Sequence, residues 1–455
     1  MRHAVPTFTG AFFLIVLLAA GQFLHAQQSS PVGVGAPVAA PAPTAQFVDA
    51  SSGLSVSQLV QLALARNADL LATRQRALEA QGLLRQAGFR PNPVLETEFG
   101  SGSPTGSPGE REFSLGYSHV FELGGKRDRR VEVGRPGLDL ARFEITDRER
   151  TLRAELQERY IAAMASIRNL ETVAQQFEVT RQTLEVTQRR VSEGESPRVE
   201  QMVLQAEVGR LEAERLVLAS EVEQELLAVR VIVGMDFSER LVLRPEGDRP
   251  PPTLNLEAAL EQGLASRPDL AAARQEETRA AAEVRLARAG RVPDLAGLVR
   301  YTDSQTRFDQ FGLTATGALA PLQDRDRVLT AGLSLTLPMF ARNQGQIEAT
   351  RARETAASLR RQYLTRSAEA EIRAAHGRYL AAQQAVEVFR TAVVQPSQEA
   401  AAVLRASYAA GEVRLFDVLA VQRRLIDSQK EYTEAIRQAA LARVALERAI
   451  GVPLQ

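Results

Sequence analysis

The chain is written twice. Asn67-Ala68-Asp69-Leu70-Leu71-Ala72-Thr73-Arg74-Gln75 reappears as Arg267-Pro268-Asp269-Leu270-Ala271-Ala272-Ala273-Arg274-Gln275, 200 residues later, and the match holds through Arg85/Arg285 and Pro93/Pro293. Further on, Gly116, Ser118, Val131 and Glu132 pair with Gly332, Ser334, Ile347 and Glu348 at a spacing of 216. Gly194-Glu195 pairs with Gly411-Glu412, and Val233-Gly234 with Ile450-Gly451, both at 217. The spacing is expected to drift only where a loop has grown. Two homologous repeats follow, 54–253 and 254–455, each with the same order of elements.

That order is a helix, two strands, a very long helix and a last helix. The first helix is expected at Val56–Ala87 in one repeat and Leu256–Ala289 in the other. The strands alternate. Leu329, Ala331, Leu333, Leu335 and Leu337 share one face, with Thr330, Gly332, Ser334 and Thr336 on the other. Phe113, Leu115, Tyr117 and Phe121 similarly oppose Ser114, Gly116, Ser118 and Val120, with His119 on the apolar side. The first strand pair is joined by a Gly/Ser/Pro-rich loop at 100–112, the second by a longer loop expected at Asp303–Asp326. Such strands fit either a lipid-facing barrel with a wet lumen or a half-buried sheet in a soluble domain. The long helices weigh toward the barrel. Leu156, Tyr160, Ala163, Ile167, Leu170, Ala174, Phe177, Leu184 and Val191 form a coiled-coil seam. The 55 residues from Gly137 to Val191 make a rod of roughly 80 Å at ~1.5 Å per residue, and Ile347–Ala410 is longer still. Rods of this length must pack lengthwise.

Composition narrows the function. Lysine plus arginine equals aspartate plus glutamate, 55 each, which argues against nucleic acid as a partner. There is no cysteine, hence no disulfide, thiolate site or lipidated N-terminal cysteine. Arg2 and His3 precede the apolar run Ala11–Ala20, and Leu24-His25-Ala26 fits a cleavage site, so 1–26 reads as a signal peptide, with an uncleaved anchor as the alternative. Residues 27–53 are expected to be a disordered leader. His119 and His376 are the only histidines beyond residue 26, and we find no phosphate loop, HExxH motif or catalytic constellation. No cofactor is expected, and the chain reads as a non-enzyme.

One chain offers only four membrane-type strands, whereas closed barrels start at about eight because lipid tolerates no open edge. Strands that enter a membrane therefore require oligomerisation. Three copies would supply twelve strands above a ring of long helices, a conduit by geometry.

At this point the chain resembles the TolC-type outer-membrane efflux factors, from about Leu54 to Leu454. Besides the duplication and element order, two motifs carry the resemblance. Gly411-Glu412-Val413-Arg414-Leu415-Phe416-Asp417-Val418-Leu419 is similar to the turn between the last two helices. Glu122-Leu123-Gly124-Gly125-Lys126-Arg127, after the second strand, resembles the CzcC-type branch, which exports divalent heavy-metal cations. The resemblance implies an α+β fold: an outer-membrane β-barrel with four strands per chain, continued by a long α-helical coiled-coil barrel in the periplasm. It also implies a homotrimer, a periplasmic adaptor (membrane fusion protein) and an inner-membrane proton-driven RND pump.

It further implies roles for single residues. Gly194 and Gly411 would turn the chain at the periplasmic tips, where the tunnel narrows to a gate. Asp417 matches an inward-facing carboxylate there, and three copies would form an acidic ring favouring cations. Otherwise Asp417 merely caps the first turn of the last helix, where the dipole favours an acid. Some relatives carry a second acid three residues on; here that position is Ala420. Glu200 is the counterpart of Asp417 at a spacing of 217. Tyr408 matches a gating tyrosine, and Arg414 neighbours the family's arginine position; the two would hold the gate shut. Gly124 and Gly125 would turn the chain from strand to helix. Lys126, Arg127, Arg129 and Arg130 either meet outer-membrane lipid phosphates or form a solvated helix start. Two other readings stay open: the same duct for drugs or type I protein secretion, and a soluble periplasmic coiled-coil adaptor. The two strand pairs disfavour the adaptor.

Overall fold

The computed structural model describes residues 44–245 and 255–454. The expected signal peptide, and the expected leader up to residue 43, lie outside them. The last part of that leader is not disordered. Phe47 is buried with Leu241 and Leu243, and Val48 and Leu54 form parallel bridges to Leu243. Among mostly small and polar neighbours, Phe47, Val48 and Leu54 supply enough apolar surface to tie 44–54 to the end of the repeat.

The first repeat runs α1 (Val56–Arg66), α2 (Ala68–Ala87), β1 (Val94–Ser101), β2 (Arg111–Phe121), α3 (Lys126–Ser192) and α4 (Arg198–Val233). The second runs α5 (Leu256–Ser266), α6 (Pro268–Ala289), β3 (Leu295–Leu313), β4 (Leu319–Leu335), α7 (Gln344–Val388), a π turn (Phe389–Val394), α8 (Gln395–Ala409) and α9 (Leu415–Ile450). The single first helix expected in each repeat is two helices. Asn67 ends α1 and caps α2: its Oδ1 accepts from Leu70 N at 3.0 Å, and its Nδ2 donates to Ile232 O at 2.8 Å. Arg267, before Pro268, breaks the second repeat in the same place, because the residue before proline leaves the helical region. Its guanidinium reaches Ala449 O at 2.9 Å. Ile232 and Ala449 are 217 residues apart, so an amide and a guanidinium make the same clasp.

α3 has 67 residues, about 100 Å of helix at ~1.5 Å per residue. Its seam residues Leu156, Tyr160, Ala163, Ile167, Leu170, Ala174 and Phe177 are buried. Leu152, Leu156, Ala163 and Leu170 pack with Leu226 and Val229 of α4, and Ile372, Tyr379, Leu446 and Ile450 form the smaller equivalent cluster. Buried positions Leu156/Ile372 and Ala163/Tyr379 keep the 216 spacing, whereas buried Phe177/Val394 keep 217. The extra residue therefore enters between Tyr379 and Val394, where the π turn lies. For this last one-residue step the expectation of loop growth is corrected, because a π turn absorbs one residue without ending the helix; the larger step from 200 to 216 falls at the longer second strand connection.

The sheet is antiparallel in the order β1-β2-β3-β4, with both edges unpaired within the chain. In register, Leu95, Tyr117, Val299 and Ala331 share one face, as do Leu115, Tyr301 and Leu329. This face is exposed, Leu329 at 72% and Leu333 at 78%. The loop expected at Asp303–Asp326 is instead a two-stranded ribbon, paired to Leu313↔Leu319 with a register shift between Arg307 and Phe311. Cross-strand pairs hold it, Arg325 with Asp303 at 2.6 Å and Gln305 with Gln323 at 2.9 Å. Only 314–318 is left as a turn.

Candidate functional site

The helical hairpins end in matched turns. After α3, Gly194 has φ +80° and Glu195 N donates to Arg190 O at 2.8 Å. After α8, Gly411 has φ +79° and Glu412 N donates to Ser407 O at 2.9 Å. Tyr408, just before Gly411, reaches the other hairpin: its hydroxyl donates to Glu200 Oε2 at 3.4 Å. The ring packs against a buried cluster of Leu204, Leu415 and Leu419. Burial pushes the Tyr408 hydroxyl up from its ordinary pKa, with a hydrogen bond to Thr187 working against it. Glu200 sits in the first turn of α4 and Asp417 in the first turn of α9. Of the four tip residues, the structure therefore joins Tyr408 and Glu200. Arg414, the residue before α9, and Asp417 are both exposed, and neither is ion-paired among the described residues.

Above this contact lies a ladder absent from the sequence expectations. Glu207 on α4 is only 6% exposed and accepts from Arg210 at 2.8 Å and from Arg423 on α9 at 2.7 Å. One heptad on, Glu214 pairs with Arg210 at 2.8 Å and with Lys430 on α9. Burial works to raise the Glu207 carboxyl, but the bonds from Arg210 and Arg423 outweigh it and hold it below the usual range. The signal was present: acids seven residues apart on α4 face bases seven residues apart on α9.

At the strand-to-helix junction, Gly124 and Gly125 both have positive φ, +71° and +68°. A side chain at Gly124 would also put its Cβ 2.8 Å from the Val292 Cβ, so conformation and space both require glycine there. The basic cluster is spent inside the protein. Lys126 pairs with Asp294 at 2.7 Å, Arg127 donates to Gly88 O at 2.6 Å, Arg129 pairs with Glu132 at 2.6 Å and Arg130 bonds Glu122. These contacts buckle α3 to the end of α2 and the start of β3.

The opposite face of the sheet is polar toward the ribbon end. It carries Glu96 and Glu98 of β1, Glu112 and Ser114 of β2, Arg300 and Thr302 of β3, and Asp326 and Thr330 of β4. Apolar side chains outside and polar ones inside suit a wall between lipid and a wet lumen.

Among proteins of known sequence, the chain is 22% identical over 411 residues to the cobalt-zinc-cadmium resistance protein CzcC of Cupriavidus metallidurans, covering 89% of this chain and 91% of that one. It is 27% identical over 323 residues to the nickel-cobalt-cadmium resistance protein NccC of Alcaligenes xylosoxydans xylosoxydans, covering 68% and 70%. Its fold is that of the CusC transmembrane channel, with a TM-score of 0.71 at 17% identity, over 87% of this chain and 92% of that one. The outer membrane efflux protein family matches residues 59–235 and 259–452. With one match in each repeat and most of the sequence covered, the chain belongs to the outer membrane efflux protein family.

Proposed function

We propose that this outer-membrane channel is the exit duct of a tripartite pump for divalent heavy-metal cations and works as a homotrimer. The observation that carries the assembly is the four-stranded sheet with two unpaired edges and an apolar outer face. Lipid offers no hydrogen-bond partner to an edge, so β4 of one copy must pair with β1 of the next. Three copies close a twelve-stranded barrel, and their long helices continue it into the periplasm. There a periplasmic adaptor and an inner-membrane proton-driven pump deliver the ions. CzcC and NccC, named for cobalt, zinc, cadmium and nickel resistance, support the cargo.

In this reading the hairpin tips form the gate. The Tyr408–Glu200 contact holds α8 against α4 in the closed state, and unpaired Asp417 and Arg414 lie at the tip where the tunnel narrows. The three copies of Asp417 place an acidic ring on the ion path, which attracts cations without enclosing them.

Deleting the gene and measuring growth across zinc, cobalt, nickel and cadmium, with a dye and two antibiotics alongside, tests the cargo. Hypersensitivity to the cations with unchanged drug tolerance is expected. Sensitivity to drugs alone would overturn the metal reading and leave the duct.

A further inference from the structure

Arg300 stands out on the inner face of the sheet. Within the four-strand register, the charged residues of that face among the described residues are Glu96, Glu98, Glu112, Asp326 and Arg300, so Arg300 is its one cation. It does not pair with a neighbouring strand. Its Nη2 lies 3.0 Å from Glu96 Oε2 and its Nη1 3.1 Å from Glu98 Oε2, both on β1, with β2 between. Two strand spacings, about 10 Å, are bridged. Gly116 makes this bridge practicable. It sits in register between Glu96 and Arg300, and a Cβ placed there would already touch Arg300 Nε at 3.6 Å and the Glu96 Cβ at 3.7 Å. Any larger side chain would stand in the path of the guanidinium. Ser114 completes the arrangement, donating to Glu98 Oε2 at 3.2 Å.

The charge on this face is also graded along the barrel. The rows through Glu112, Glu98 and Glu96 are charged, whereas the two toward α3, Ser118–Leu298–Gly332 and Val120–Ala296–Ser334, carry none. Arg300 lies in the innermost charged row, the first that an ion leaving the uncharged rows meets.

We propose that Arg300 sets the charge selectivity of the barrel lumen, by tying up Glu96 and Glu98 across β2 and leaving Glu112 and Asp326 as the free acids. The lumen then attracts cations through a moderate acidic field rather than retaining them at four bare carboxylates, as a duct for ions requires. This rests on the channel reading above and adds a selectivity element in the barrel, distant in sequence from the hairpin tips.

The test is the cation-to-anion permeability ratio of the full-length channel in planar bilayers, from reversal potentials in a potassium chloride gradient near 0.1 M, where the screening length is about 10 Å. Arg300→Gln takes the formal charge of this face from three to four acids in excess per chain and should raise the ratio at least about twofold. The double substitution Glu96→Gln, Glu98→Gln leaves one in excess and should lower it. Arg300→Lys, which keeps the charge, should stay close to the unaltered channel. All differences should shrink near 1 M salt, where screening falls to about 3 Å, a dependence that a purely structural rivet does not produce. Ratios unchanged in both charge variants at low salt would overturn the proposal. If Arg300→Gln fails to assemble, the double variant decides alone, a lower ratio supporting the proposal and an unchanged one overturning it. Absence of any conductance both from the unaltered protein and from Tyr408→Phe, which loses the contact with Glu200, would instead overturn the channel reading itself.

Discussion

Removing Thr391 from the π turn should leave the second hairpin folded, whereas removing Gln175 from the equivalent stretch of α3 should not. Both residues are exposed, so composition alone predicts similar outcomes. The phase of the helix separates them. Buried Ala163 and Phe177 are 14 residues apart, close to four full turns at ~100° per residue, so both face the same core. Their counterparts Tyr379 and Val394 are 15 apart, and the π turn takes up the surplus. Deleting Thr391 restores 14 and converts the π turn to ordinary α-helix, at a cost within about 1 kcal/mol. Deleting Gln175 leaves 13 and rotates everything below it by ~100°. Phe177 and Leu184 then leave the seam with buried Thr180 and Thr187. Losing those two apolar side chains alone costs about 4 kcal/mol, roughly 8 °C at ~2 °C per kcal/mol. Thermal unfolding of the detergent-solubilised chain, followed by circular dichroism, reads the difference. Equal losses in the two deletions would refute the phase argument.

Arg267→Ala should cost about 3–5 kcal/mol, because it strands Asp269 and Glu371 beside a buried position; Asn67→Ala, which loses one cap and one neutral hydrogen bond, should cost about 2 kcal/mol in the same unfolding assay. Burial works to raise the Asp269 carboxyl, yet the bonds from Arg267 hold it below the usual range. Its contribution is therefore complete above the unfolded value near ~3.9 and is lost as pH falls through that value toward the folded one; Asp269→Asn should flatten the acid limb of a stability–pH curve and leave the neutral region level. Gly124→Ala should reduce the barrel's abundance in the membrane, since it meets both a positive φ and Val292, whereas Gly125→Ala, with open space around it, should reduce it less; quantitative blotting of outer-membrane fractions distinguishes them.

The parts legible in the sequence are those where one residue pattern has one physical meaning. Alternation at Leu329–Leu335 can only be a strand with an apolar face, and the repeat spacing fixed which elements correspond. The parts missed are those where the meaning depends on a partner. Asn67 within an otherwise helical run reads as a tolerated helix residue until Ile232 O is placed beside it. The stretch Asp303–Asp326 looked like a loop because its acids and bases hide the strand period. Those same charges pair across the ribbon, Asp303 with Arg325, and stabilise it. The basic run at Lys126–Arg130 left lipid contact and a solvated helix start both open, because two of its partners, Asp294 and Gly88, are remote in sequence, while Glu132 and Glu122 lie close by. Tyr408 and Glu200, 208 residues apart, were each singled out at the hairpin tips but not as a pair, and Glu207 and Arg423 were equally available and passed unread.

The duplication also bears on how the two hairpins meet, through short apolar clusters and a ladder of charges. Each long helix already spends its main apolar stripe on its own repeat, α3 on α4 and α7 on α9. Where α4 approaches α9, the surfaces left over are the charged flanks, and they meet as Glu207–Arg423 and Glu214–Lys430 around the small clusters of Leu211 with Ile426 and Leu204 with Leu415. Ion pairs whose basic partners are half or more exposed, as Arg423 is, contribute little individually and exchange readily with water. An apolar seam would have to expose its full area to open. A ladder of partly wet pairs, anchored by one buried carboxylate at Glu207, keeps a definite register between the hairpins.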